Sequence, residues 1–317
     1  MIFNQISAES WEAKAFANIA LIKYMGKISQ GNAAANSSLS YASPAFFSEV
    51  KLTVSEHDSY VNDDNKLGAS EVERFLRHLQ YIKSYYGFDG CFAVGSKNSF
   101  PASCGIASSA SSFAALTLCA ASAIAIISGQ KPPAPDVLAS LSRVGSGSSC
   151  RSFHGPWALW RGDKVSAIEF SGLSLEHFVV VVSDKKKPVS SSAAHVRVIS
   201  SSLFEGRRER AEQRITELIP ALSRVSWAAA FDLVWAEFWD MHALFETSMP
   251  GFGYLLPSSI SVLNFVRDFW HEHGDGPLVT VDAGPNIHLL FRDDQGPMRK
   301  IILSKLKCDY LVLGSQV

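Results

Sequence analysis

At 317 residues the chain can hold one large domain or two of medium size. Its 47% hydrophobic content supplies a core, and with 19% charged residues it excludes global disorder and a coiled coil. The 29 Lys and Arg nearly balance the 30 Asp and Glu, leaving a formal charge of −1, so a chain-wide nucleic-acid or anionic-membrane surface is excluded. Any anionic ligand must then be held by a local cluster of cations.

Apolar alternation predicts strands over residues 15–22 and 48–54. A helix follows over 70–86, ended by Gly87, then a strand over 90–94. Helices are predicted over 108–127 and 136–144, and strands over 165–170 and 178–183. Residues 113–127 form the most membrane-like stretch, but they fall short of the ~20 apolar residues a span needs. Thr117 and Ser122 interrupt the stretch, and Gly129, Pro132 and Pro133 stop it, so a buried core helix is expected. After 185 comes a Ser-rich polar segment, then amphipathic helices over 206–224 and 226–246 and a third over 258–273. Short strands close the series at 278–282, 286–291 and 310–314. No repeat has a fixed period, and strands and helices mix without a regular βαβ count. The expected architecture is α+β in two lobes meeting near 175–190, divided into residues 1–180 and 181–317.

Cys91, Cys104, Cys119, Cys150 and Cys308 form no CxxC pair, which argues against a disulfide framework or zinc ribbon and suits a reducing cytoplasm. No basic run followed by an apolar run opens the chain, so no secretory signal is expected.

Four segments could carry chemistry. The first, 100–112 (FPASCGIASSASS), places small hydroxyl residues at the start of a long apolar helix. Unpaired N–H groups and a positive dipole end suit a phosphate there, and Ser108 or Ser109 could add a donor or ligate Mg²⁺. An ordinary Ser-capped helix is the plainer reading. In the second, 143–155 (RVGSGSSCRSFHG), Gly and Ser permit close backbone approach, and Arg151 offers a two-point fork for a carboxylate or phosphate. A surface loop with a solvated Arg is its alternative, and His154 is read as structural. The third, 17–27, ends an apolar strand in Lys23, Tyr24 and Lys27, which either converge on an anion or are solvated strand-end charges. The fourth, 279–290, ends a strand in Asp282 before a sharp Ala-Gly-Pro-Asn turn. A carboxylate there suits a general base or a metal ligand, or simply forms the turn. His271 and His273, two apart on a helix, do not share a face, and no HExxH or GxSxG is present. The aromatic-rich 226–245 (Trp227, Trp235, Phe238, Trp239) reads as a core-facing helix.

In this order the segments resemble the GHMP kinase superfamily, and within it the mevalonate diphosphate decarboxylases. The residues carrying the resemblance are Asn18-Ile19-Ala20 through Lys23-Tyr24-Met25-Gly26-Lys27, Asn36-Ser37-Ser38-Leu39-Ser40, and Phe100-Pro101 through Gly105-Ile106-Ala107-Ser108-Ser109-Ala110. Gly145 to Ser152, Lys186 to Ser191, Met241-His242-Ala243 with Pro250 and Tyr254-Leu255, and Asp282 to Asn286 complete it, so it covers about 15–290. It implies a two-lobed GHMP kinase fold, an ATP-binding N-terminal lobe and an active-site cleft between the lobes. The implied reaction phosphorylates the 3-hydroxyl of mevalonate 5-diphosphate with ATP and Mg²⁺, then releases phosphate and CO₂ to leave isopentenyl diphosphate. The resemblance casts Asp282, Arg151 and Lys23 as catalytic. It assigns Tyr24, Lys27, Ser146, Ser148, Arg151 and Ser191 to the substrate, and Ser96, Asn98, Gly105, Ala107, Ser108 and Ser109 to the nucleotide, with Ser108 on Mg²⁺. A cytoplasmic homodimer without nucleic-acid or membrane partners is implied as well. The chain departs from the pattern at Met25, where the family has Trp, in the Ala-rich 30–35, and at Ser192-Ala193-Ala194-His195, where some relatives place an Arg at the position of Ser192. A GHMP kinase that stops after phosphorylation, an enzyme of the 5-monophosphate and an inactive binding protein are the alternatives.

Overall fold

The structure, a computed structural model, describes residues 1–26, 35–61, 67–101, 108–185 and 187–315. β2 (Ser10–Ile22) alternates apolar and polar residues at its start and is continuously buried from Ala17 to Ile22, which makes it a central strand. It pairs antiparallel with the edge strand β1 (Ile2–Ser7) and with β3 (Ser38–Ser55). The β2–β3 register jumps from Phe16↔Phe47 to Ala17↔Ser43, which leaves residues 44–46 unpaired. Pro44, which has no N–H for a ladder bond, sits in that bulge. β4 (Ser59–Tyr60), β5 (Cys91–Asn98), β6 (Trp157–Arg161) and β7 (Lys164–Ala167) complete a seven-stranded sheet. A second, antiparallel sheet has the order β11 (Leu311–Gly314), β8 (Leu175–Val181), β10 (Ile287–Arg292), β9 (Leu278–Val281). The change of sheet falls between β7 and β8.

The first sheet packs one face on α1 (Ala69–Tyr86) and α2 (Ser108–Ile127). The alanines of α2 leave little side chain between helix and strands, so the helix approaches β2 and β3 closely and is buried over most of its length. This is the one helix among the described residues long and apolar enough to cross a membrane, and it serves as the core helix expected from the sequence. α3 (Pro135–Gly145) and a 3₁₀ segment (Gly147–Phe153) pack against α2. α4 (Ser191–Arg197), α5 (Arg207–Ser223), α6 (Trp227–Glu246), α7 (Pro257–His273) and α8 (Gly296–Leu306) follow the second sheet. The two sheets share one core, in which Ile19, Leu21, Leu39, Tyr41 and Trp157 pack with Phe178, Phe238, Leu289 and Phe291.

Predicted and observed elements agree closely for α1, α2, α3, α5, α6 and α7. The strand expected over 165–170 runs over Lys164–Ala167, and β1, β4, β6, α4 and α8 are additional.

A charge network lies inside this core. Glu237 on α6 is fully buried, and its carboxylate accepts from Arg207 and, at 2.7 Å, from Arg214 on α5. Asp240, one turn on, accepts from Arg207 at 3.0 Å, Arg214 at 2.6 Å and Arg210 at 2.8 Å. Removing one member leaves buried opposite charge uncompensated, a loss of roughly 3–5 kcal/mol. Urea unfolding of Glu237→Leu is therefore expected to show a destabilisation of that size, and a loss below about 1 kcal/mol would contradict the assignment.

Candidate active site

The apolar strand β2 ends at Ile22, and the next residue is fixed through its backbone. Glu237 Oε1 accepts the Lys23 N–H at 2.9 Å, while Asn36 Nδ2 and Arg207 Nη2 donate to the Lys23 carbonyl at 2.8 and 3.1 Å. The buried charge network thus aims one lysine. Lys23 is 2% exposed, and its Nζ donates to Asp282 Oδ1 at 2.6 Å. Asp282 directly follows β9 and keeps 27% of its side chain exposed. Its carbonyl accepts from the Gly284 N–H at 2.7 Å and lies 3.2 Å from His242 Nε2. Lys187 Nζ donates to the Ala283 carbonyl at 2.6 Å and to Ser191 Oγ at 3.2 Å. Burial alone would raise the Asp282 carboxyl, but the Lys23 ammonium, His288, the Lys23 hydrogen bond and Lys187 together hold it at about 2. Asp282 is therefore a carboxylate at neutral pH, an acceptor held between cations.

Arg151 stands in the 3₁₀ segment, 4% exposed. Its Nε donates to Asn18 Oδ1 at 3.2 Å, and Asn18 Nδ2 donates to Ser152 Oγ at 2.8 Å and the Ser148 carbonyl at 3.1 Å. Its guanidinium carbon lies 5.8 Å from the Trp160 ring centroid. Arg151 Nη1 is buried with no hydrogen-bond partner among the described residues. A buried charged donor left unpaired costs more than an ordinary polar group, so this nitrogen is suited to an anionic ligand. Its charge acts on Lys23 and Tyr24, and the Asp282 charge acts on it, so all four share one electrostatic environment.

Tyr24 packs between Trp160 and His195, with ring centroids 4.8 and 4.3 Å away. Burial pushes its phenol well above the ordinary value, so the hydroxyl stays protonated and able to donate. His195 Nδ1 accepts from the Gly26 N–H at 3.1 Å. Met25 is buried against Met241, Phe245 and Tyr254.

The two serine-rich segments also meet. Ser146 Oγ donates to Ser109 Oγ at 3.4 Å and lies 3.4 Å from Ser148 Oγ. Ser108 is the first residue of α2, so this junction sits at the helix N-terminus. Ser96 is buried on β5, and Asn98 accepts from Ser48 Oγ at 2.6 Å and Ser112 Oγ at 3.5 Å, a knot tying β3 and β5 to the same end of α2. Lys27, Gly105 and Ala107, expected at the site, lie outside the described residues. No group of three His, Cys, Asp or Glu among the described residues could hold a metal ion. A Mg²⁺ ion here fits the pattern of a cation carried on phosphate oxygens with few protein ligands.

Sequence reasoning did not assign Asn18, Asn36, Arg207 and Glu237 to the site. Asn18 and Asn36 stood inside the quoted motifs. Glu237 and Asp240, three apart on α6, face arginines spaced by three and four on α5, a matched pair of stripes legible only once the helices are paired.

If Lys23 holds Asp282 down, Lys23→Met should raise the Asp282 carboxyl from about 2 toward the ordinary value near ~3.9. Because the folded value is depressed, this group's stabilisation is present above the unfolded value and lost as pH falls from ~4 through about 2. Carboxyl-carbon NMR titration of both proteins measures it; an unchanged Asp282 titration would contradict the pairing.

Residues 15–169 match the family described as diphosphomevalonate decarboxylase-like N-terminal domain, and residues 177–309 match the mevalonate 5-diphosphate decarboxylase C-terminal domain. A mevalonate diphosphate decarboxylase structure from Legionella pneumophila is 44% identical with a TM-score of 0.90, covering 96% of this chain and 100% of that one. A structure described as MDDEF in complex with MVAPP, AMPPCP and magnesium is 27% identical with a TM-score of 0.86, covering 97% of each chain. The diphosphomevalonate decarboxylase of Debaryomyces hansenii is 28% identical over 89% of this chain and 79% of its own length.

Proposed function

The chain belongs to the mevalonate diphosphate decarboxylase family, and on that premise we propose that it converts mevalonate 5-diphosphate and ATP to isopentenyl diphosphate, ADP, phosphate and CO₂. The observation that carries the reading is the buried Nη1 of Arg151, without a hydrogen-bond partner among the described residues, in the same electrostatic environment as the Lys23–Asp282 ion pair. A substrate whose carboxylate is one methylene away from a hydroxyl-bearing carbon needs that combination, a cationic fork for one group and an anionic acceptor for the other.

A tertiary hydroxyl is hindered and weakly nucleophilic. The Asp282 carboxylate orients it and accepts its proton while Lys23 holds the carboxylate in place. Once the hydroxyl is phosphorylated and phosphate leaves, positive character at C3 draws electrons from the bond to the carboxylate. Arg151 fixes that carboxylate so that the breaking bond stays aligned. Ser146 and Ser148 hold the substrate's body, and Tyr24, Lys27 and Ser191 its 5-diphosphate. The ATP-binding role falls to the N-terminal lobe, residues 1–180, and residues 181–317 form the second lobe. Binding of the nucleotide is assigned to Ser96, Asn98, Gly105, Ala107 and Ser109, and of magnesium to Ser108. The magnesium ion, when bound, neutralises charge on the transferred phosphoryl group. A cytoplasmic homodimer, with no nucleic-acid or membrane partner, completes the reading.

Incubation with ATP, Mg²⁺ and mevalonate 5-diphosphate is expected to yield CO₂ and isopentenyl diphosphate. A stable 3-phosphorylated product would instead show a kinase, and faster turnover of mevalonate 5-phosphate would move the substrate to the monophosphate. Asp282→Ala and Arg151→Ala are each expected to lower turnover by at least roughly two orders of magnitude. Near-normal turnover in either would refute that residue's role.

A further inference from the structure

The carbonyls of the turn that carries Asp282 are held by side chains from three parts of the chain. His242 Nε2 on α6 lies 3.2 Å from the Asp282 carbonyl. Lys187 Nζ donates to the Ala283 carbonyl at 2.6 Å, and Ser259 Oγ on α7 donates to the Pro285 carbonyl at 2.7 Å. Of the three, His242 acts on Asp282 itself. A carbonyl oxygen only accepts, so the ring carries a proton on Nε2. The ring is 3% exposed, packed edge-on by Phe245 at 5.2 Å and by Phe238 and Tyr254 at 6.4 Å. Burial first, and the Lys23 charge second, lower it to about 4. It is therefore neutral at physiological pH, and its single N–H is the one that meets Asp282.

The partner of Asp282 is held from the same helix. Glu237, five positions before His242 on α6, accepts the Lys23 N–H at 2.9 Å. α6 thus grips the main chain on both sides of the 2.6 Å ion pair, with an acceptor for Lys23 and a donor for Asp282. Thr280 Oγ1 on β9 donates to the Ala20 carbonyl of β2 at 3.3 Å, which ties the two strands just before they deliver Asp282 and Lys23. The Asp282 carbonyl lies beyond the last β9–β10 pair, Val281↔Ile287, so the sheet does not fix it. Its other donor among the described residues, the Gly284 N–H, belongs to the same turn and moves with it.

Resting on the reaction proposed above, we propose that His242 is a positioning residue for it: the Nε2–H fixes the Asp282 main chain so that the carboxylate meets the substrate's 3-hydroxyl, and α6 sets the spacing of Lys23 and Asp282. His242 acts through Asp282 and gives up no proton. With the donor gone, the peptide after Asp282 is free to turn, and the carboxylate shifts relative to Lys23 and the hydroxyl. A misplacement of about 1 Å in a reacting group costs roughly a hundredfold in rate. Arg151 and Tyr24 stand on other elements, so substrate affinity is left in place.

The test compares the full-length wild type with His242→Phe and His242→Gln, each checked for folding by circular dichroism. Phe keeps a ring among the neighbouring aromatics and removes the donor, whereas Gln removes the ring and keeps a donor N–H. Nitrogen NMR of the wild type should show His242 protonated at Nε2 and not at Nδ1; the opposite tautomer overturns the proposal even if neither variant folds. With ATP, Mg²⁺ and mevalonate 5-diphosphate, His242→Phe is expected to lose turnover by roughly tenfold to a hundredfold at near wild-type KM, and His242→Gln to recover most of it. A folded Phe variant with normal turnover, a loss confined to KM, or a Gln variant as impaired as Phe each overturns the proposal. A wild type that forms no CO₂ defeats the reaction assignment instead, and the carboxylate's position is then read directly. The Asp282 carboxyl, at about 2 in the wild type, should titrate higher in the Phe variant than in the Gln variant, since both lack the imidazole but only one lacks the donor. Equal titration in the two overturns the proposal.

Discussion

An ammonium and a carboxylate separated by 259 positions in the chain meet at 2.6 Å where the two sheets face each other. Neither would hold this geometry unaided: Lys23 is almost wholly buried, and an isolated ammonium there would be costly. The surroundings meet that cost twice. Asp282 neutralises the side chain, and Glu237, Arg207 and Asn36 satisfy the backbone. Without the Glu237–Arg207 network the end of β2 would be free to turn, and Lys23 would lose the direction that keeps Asp282 ionised. Stability and chemistry are therefore linked through one residue.

Arg151 is the complementary element. Asn18 supports its guanidinium through Nε, while Nη1 has no hydrogen-bond partner among the described residues. A folded protein that carries such a group accepts a loss of stability for it, as functional sites commonly do. A chain with formal charge −1 can still gather an anion at one place, because Lys23, Arg151 and Lys187 all act on the surroundings of Asp282.

Much of this was legible in the amino-acid pattern. α2 was bounded correctly because its apolar run begins after small residues and stops at Ser128-Gly129. β3 was seen only in part, since its first half is a serine-rich stretch with Pro44, and residue-level propensity argues against a strand there. β6 is five residues beside a Gly-Pro turn, and α8 opens with Gly296-Pro297, which reads as a loop until Pro is recognised at the first helical turn. At the site, Lys23, Asp282 and Arg151 stood out because they end apolar strands or follow Gly-Ser turns. Glu237 did not, because it is a buried acid within an aromatic-rich helix, and only the facing arginines of α5 explain it. His242 stood inside a quoted motif, but its bond to the Asp282 carbonyl depends on how α6 packs beside β9, which local sequence does not encode.

The most direct measurement is a crystal structure of the protein with mevalonate 5-diphosphate bound. The account predicts the substrate carboxylate within hydrogen-bond distance of Arg151 Nη1 and the 3-hydroxyl within hydrogen-bond distance of the Asp282 carboxylate. A substrate whose carboxylate lies away from Arg151, or whose hydroxyl faces a group other than Asp282, would contradict it.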